Sequence, residues 1–180
     1  PAVPKTPDAL PIIGWTGTHS TLPYLQPLLP VLQRLAERYA FQFCVIADQN
    51  PDFQLPFYKF IPWQKATEIP DLLQFDIGLM PLTEDAWAKG KCGFKALQYM
   101  ALGIPALVSP IGVNTEIVQD GVNGFWCHQE TDWEAALTKL LQEASLRQRI
   151  GIAAREMVVK RFSCQANAAN FLAILGIVGL

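Results

Sequence analysis

The chain has 180 residues, 51% hydrophobic and 17% charged, which suits one globular domain with a single core and excludes disorder. A formal net charge of −2 excludes a global basic field for nucleic acid and leaves cationic character to local clusters. Cys44, Cys92, Cys127 and Cys164 are scattered without a Cys-x-x-Cys pair. They read as free thiols in a reducing compartment, Cys92 and Cys127 as structural ones, rather than as a zinc site or disulfide framework.

Residues 1–11 carry four prolines and read as an extended linker from a preceding domain. Ile12–Thr16 is a strand candidate closed by Gly17. Ser20 or Thr21 is placed to cap the next helix, whose apolar face is Leu25, Leu28, Leu32, Leu35 and Tyr39; Pro27 and Pro30 make it kink or start near Pro27. Phe41–Ala47 is a second strand candidate, ended by Asp48-Gln49-Asn50-Pro51, and Phe57–Ile61 a third. A short helix falls between Trp63 and Gln74, its start limited by Pro70. Asp76–Leu82 is the fourth strand, Ala106–Ser109 the fifth and Gly124–Cys127 the sixth, the last preceded by the turn Asp120-Gly121-Val122-Asn123. Thr131 or Asp132 is placed to cap a helix to about Glu143, and Leu146–Phe162 and the segment from Gln165 onward complete a helical C-terminal third. From Phe162 on there is no charge, but Gln165, Asn167 and Asn170 interrupt the segment. The apolar run Phe171–Leu180 is too short to span a bilayer, so residues 163–180 read as a helix that packs on another protein surface.

Strands alternating with helices predict an α/β domain over residues 12–162: a Rossmann-like, doubly wound, mostly parallel sheet with helices on both faces. Ligands of such sheets bind beyond the carboxyl ends of the strands. Two loops belong on that edge, Gly17–Thr21 and Ala86–Gly93. The second opens the stretch Ala86–Thr115, which holds Lys89, Lys91 and Lys95 and no carboxylate. Gly90 and Gly93 precede a helix over Phe94–Leu102, stopped by Gly103. A glycine-rich loop feeding a helix leaves backbone N–H groups free and adds the positive end of the helix dipole. With lysines beside it, this is an anion site suited to phosphate; the plainer reading is a solvated basic turn before a core helix.

The segments IIGWTGTHSTLPYL (12–25), DIGLMPL (76–82), GKCGFKALQYMALGIPALVSPIGVNTEIV (90–118) and DGVNGF (120–125) resemble the C-terminal, nucleotide-sugar-binding domain of GT-B fold glycosyltransferases. The resemblance is to the group-1 family of retaining enzymes that build polysaccharides and other glycans. It implies a transferase moving a hexose-type sugar from a UDP or GDP sugar to a glycan, lipid or other acceptor held by a missing N-terminal domain. It also implies a cytoplasmic or membrane-peripheral setting, with no metal and no cofactor beyond the donor; no Asp-x-Asp occurs in the sequence. In that family a glutamate opens the loop and contacts the donor sugar, and a second, eight positions on, contacts the ribose. Those positions fall on Gly90 and Gln98, neither acidic. The family's basic pair near the first loop is also absent, and Lys91 and Lys95 are its natural substitutes.

The diphosphate site implied here is Lys91, Cys92, Gly93, Phe94 and Lys95 with Gly17 and Thr18. Gln98 is assigned to the ribose, Ile61 and Trp63 to the base pocket, and Gly90, His19 and Asn114 to the donor-sugar region. Lys91, Lys95 and Gln98 share one helical face if the first turn reaches back to Lys91, leaving Phe94, Leu97 and Ala101 on a core face. Lys89 reads as solvated, His19 also as a loop hydrogen-bonder, Trp63 also as core, and Glu116 as the cap of a short helix. The rival from another class is a non-catalytic phosphate- or nucleotide-binding module that kept the half-fold. A dinucleotide oxidoreductase is disfavoured, because Gly14–Gly17 does not continue into Gly-x-Gly-x-x-Gly.

Overall fold

The structure, a computed structural model, describes residues 9–176. Six strands form one sheet: β1 (Ile12–Gly17), β2 (Gln42–Ala47), β3 (Tyr58–Pro62), β4 (Ile77–Met80), β5 (Ala106–Val108) and β6 (Gly124–Trp126). Every pairing is parallel and the spatial order is β3-β2-β1-β4-β5-β6. The chain winds outward from β1 in one direction and from β4 in the other, so the switch point lies between β1 and β4.

The helices are α1 (Leu29–Ala36), α2 (Glu68–Leu72), α3 (Ala86–Lys89), α4 (Phe94–Ala101), α5 (Asn114–Ile117), α6 (Glu130–Gln142), α7 (Ala144–Phe162) and α8 (Cys164–Ile174). Alternation along the strands divides the core into two layers. Phe43 and Val45 turn to the face covered by α1 and α6, against Leu32, Leu35, Leu137 and Leu140. Cys44 and Ile46 turn to the other face, with Leu72, Tyr99, Met100 and Ala154 of α2, α4 and α7.

Several expected boundaries move for identifiable reasons. The segment His19–Leu28 forms two 3₁₀ turns instead of helix, because Pro23 and Pro27 lack the N–H a longer ladder needs, and α1 starts with Pro30 in its first turn. Thr18 replaces Ser20 or Thr21 at the start of the first of these turns, its N–H donating to Thr21 Oγ1 at 3.1 Å. The α6 cap is Gln129 rather than Thr131 or Asp132. Asp132 instead reaches back, its Oδ2 accepting from His128 N at 3.0 Å and Gln129 N at 3.1 Å. The short helix α3 occupies what reads as loop, capped by Asp85 Oδ1, which accepts from Ala88 N at 2.7 Å. Glu116 lies inside α5 instead of capping it.

The linker expected over 1–11 lies outside the described residues as far as residue 8, as does the end of the apolar run, 177–180. In α8 and just beyond it, Phe171, Ile174 and Leu175 are exposed. Among the described residues, no helix is long and apolar enough to cross a membrane.

Candidate functional site

A cavity of about 510 Å³ opens beyond the carboxyl ends of β1, β2, β3 and β4, at the switch point. Gly93 makes its floor possible. Its φ of +69° is a left-handed conformation that ends the preceding loop and starts α4 at Phe94. A Cβ at Gly93 would stand 2.3 Å from Ile117 Cδ1, so loop and α5 approach at a distance only glycine permits. The first intrahelical bond is Leu97 N to Gly93 O at 3.0 Å. Among the described residues, the N–H groups of Cys92, Gly93, Phe94, Lys95 and Ala96 find no protein acceptor. They form a patch of unpaired donors at the positive end of the helix.

Tyr99 fixes this helix to the sheet. Its buried hydroxyl accepts from Thr16 N at 3.0 Å and donates to Leu79 O at 3.3 Å, tying α4 to the ends of β1 and β4. Gly78 leaves room for the ring, since a Cβ there would meet Tyr99 Cδ2 at 2.4 Å. Burial drives the Tyr99 phenol far above its ordinary pKa, so it stays a neutral hydrogen-bonder.

Gly17, Thr18, Gly90, Lys91, Cys92, Gly93, Phe94, Lys95, Gln98 and Trp63 all line this one cavity. Lys95 Nζ lies 5.7 Å from the centre of the Trp15 ring, and burial with the nearby Lys91 charge pushes the ammonium down to about 8. Lys91 Nζ lies between the rings of Tyr24 and Trp87, at 5.3 and 5.6 Å. Neither lysine has an ion-pair partner among the described residues, whereas Lys89 Nζ meets Glu84 Oε1 at 3.1 Å on the surface.

Some sequence expectations change. Lys91 is not on the helix, because the left-handed Gly93 stops the first turn; it reaches the cavity from the loop. Phe94 is 60% exposed rather than core, and the buried face of α4 is Ala96, Tyr99 and Met100, with Leu97 and Ala101 half-buried. Cys92 is exposed, so it has no packing role, while Cys127 is buried.

Three candidates stand off the cavity wall. Ile61 packs against the core layer beneath α2. His19 turns to Asp48, its Nδ1 2.6 Å from Asp48 Oδ2 while its N–H donates to Oδ1 at 2.7 Å, which lowers the Asp48 pKa. Asn114 is buried under the Gly93 loop, where its Nδ2 donates to Ser109 O at 2.9 Å and its Oδ1 has no partner.

Sequence reasoning missed Asp48 and Glu68, which also line the cavity. Glu68 Oε1 accepts from Gln98 Nε2 at 3.1 Å and from Trp63 Nε1 at 3.3 Å. Trp63 is thus a half-exposed wall rather than core. Asp48 carried a signal, since it directly follows β2 on the carboxyl edge; Glu68 had none short of the fold.

The arrangement can receive an anion at the amide patch and two lysines, with polar groups and an aromatic wall beside it. A family model described as glycosyl transferases group 1 matches residues 57–157, more than half of the chain. A D-inositol 3-phosphate glycosyltransferase of Stackebrandtia nassauensis is 35% identical over 86 residues, which are 47% of this chain and 19% of that protein. The C-terminal domain of a glycosyl transferase group 1 family protein from Francisella tularensis superposes with a TM-score of 0.69 at 20% identity, covering 86% of this chain and 88% of that one. Anabaena HepE, solved with UDP and glucose, gives 0.76 at 15% identity over 93% of this chain and 48% of that one. These structural likenesses concern the fold.

Proposed function

The chain belongs to the group 1 glycosyltransferases, and from that premise we propose that it is the donor-binding half of a retaining enzyme that uses a nucleoside-diphosphate hexose. The observation that carries this reading is the meeting of four unpaired backbone amides, those of Cys92, Gly93, Phe94 and Lys95, with the Lys91 and Lys95 side chains in one cavity at the switch point. In the proposed arrangement the diphosphate lies on the amides of Cys92, Gly93 and Phe94, flanked by the two lysines. As the bond from sugar to phosphate breaks, charge grows on the leaving oxygens, and fixed donors aimed at it lower the barrier without reorganising. Gln98 lies where the ribose falls, Trp63 walls the base, and Gly90 borders the sugar. The acceptor and its binding groups belong to another domain. The chain spans about half the length of HepE.

The replacement of two acidic family positions by Gly90 and Gln98 supports a second reading, a binding module that kept the phosphate site without transfer. Ligand-observed NMR with UDP, GDP, ADP and their sugar conjugates tests nucleotide binding; sugar transfer by the complete polypeptide separates the two readings. Binding with transfer is the expected result. Binding without transfer favours the module, and no binding by any of the diphosphates overturns both.

A further inference from the structure

We infer that Glu68 is the carboxylate that reads the ribose of the bound nucleotide, acting with Gln98 from across the cavity as a specificity-determining pair. The inference rests on the nucleotide-binding reading above. A ribose 2′,3′-diol offers two O–H donors, and a lone glutamine meets it with one acceptor and one donor group. Here the donor group of Gln98 is already engaged: its Nε2 donates to Glu68 Oε1 at 3.1 Å. A carboxylate only accepts, so the amide orientation is set by this bond, and Gln98 presents its Oε1 as an acceptor. Trp63 Nε1 donates to the same Glu68 oxygen at 3.3 Å, so both protein donors fall on Oε1. Among the described residues, nothing donates to Glu68 Oε2 or Gln98 Oε1. Two side chains that line the same cavity thereby keep two free acceptors, one from each, to match the two hydroxyls.

The position of the charge agrees with this role. Glu68 forms no ion pair with Lys91 or Lys95 among the described residues, so its negative charge does not consume the lysines needed at the diphosphate. It stands on the first turn of α2, hydrogen-bonded to the Trp63 wall. The carboxylate missing from α4 at Gln98 is thus supplied from α2.

Titrating the chain with UDP, GDP and ADP, and with the 2′-deoxy form of whichever binds, tests the assignment. The wild type should prefer the ribonucleotide about tenfold or more, because a site built for a hydroxyl is left unpaired without it. Glu68→Ala should bring the ratio near one. Adding Gln98→Glu to Glu68→Ala should restore the preference by returning a carboxylate to α4, which a folding defect would not do. A wild-type ratio near one, a preference that survives Glu68→Ala, or no recovery in the double variant overturns the assignment. Failure of all three ribonucleotides to bind is a different result: it overturns the nucleotide reading and this assignment with it.

Discussion

Lys95 combines a half-buried stem with a charge that no carboxylate answers among the described residues. Burial and Lys91 hold its pKa at about 8, well below the ordinary value near 10.4. An anion in the cavity would supply the missing counter-charge and pull that pKa back up. Affinity for a nucleoside diphosphate should therefore fall as pH rises through about 8 and beyond, and Lys95→Ala should flatten the profile. A charge-assisted hydrogen bond contributes roughly 1.5–3 kcal/mol, so Lys95→Ala should weaken diphosphate binding about tenfold or more and bare nucleoside binding far less. Added salt should narrow the gap by screening, and Lys89→Ala should do little, because its ammonium already faces Glu84. Calorimetric titrations at two salt concentrations read all of this, and equal diphosphate affinity for wild type and Lys95→Ala would remove the lysine from the site. The same depressed pKa has the opposite sign for folding. Between about 8 and 10.4 the unfolded chain binds more protons, so this group makes stability rise with pH across that window.

At the scale of elements, two glycines set how closely helices approach the turns they pack on. Gly93→Ala must place a Cβ 2.3 Å from Ile117 Cδ1 at a φ of +69°. Strain and overpacking of this kind cost about 1–3 kcal/mol, which lowers Tm by roughly 3–10 °C in a domain of this size. Diphosphate binding should weaken with it, since the amide patch must shift. Gly151→Ala is the more pointed case, because helix propensity alone favours alanine in the middle of α7 by about 1 kcal/mol. A Cβ there would stand 2.0 Å from Gly103 O, a backbone atom that cannot rotate away. The substitution should therefore destabilise the fold while leaving binding nearly intact, as thermal unfolding and titration would show together. The strands around these turns were legible because their central positions are buried on both faces and read as continuous apolar runs. The one-turn helix α3 was not, because four residues carry too little periodicity to register, and α5 was anticipated only as a short helix at Glu116 without its bounds. Lys95 and Gln98 were legible as one face of α4, whereas Lys91 was misplaced on that face because the left-handed turn at Gly93 was not foreseen. Glu68 was not legible, because it lies thirty positions before Gln98 and only the crossover through β4 brings the two together.

Across the whole molecule the net charge is −2, and two lysines, Lys91 and Lys95, line the cavity at the sheet edge with no ion-pair partner among the described residues. The cavity brings together an amide patch, two lysines and an aromatic wall, but its surroundings are not those of a closed reaction chamber. Trp87, beside Lys91, is 76% exposed and Phe94, on the cavity wall, is 60% exposed. Transfer of a sugar requires an acceptor held in line and water kept from the reacting carbon. Neither requirement is met by a surface whose aromatic groups face solvent, and HepE has about twice the length covered by this chain. The 180-residue chain should therefore bind a nucleoside diphosphate weakly and transfer no sugar to simple acceptors. Incubation with UDP-glucose, GDP-mannose or ADP-glucose, with product followed by mass spectrometry, checks this. Slow release of free sugar would fit an open site that admits water. Robust glycoside formation by residues 1–180 alone would mean that acceptor and donor groups are both complete within this chain, and the division of labour between two domains would fall.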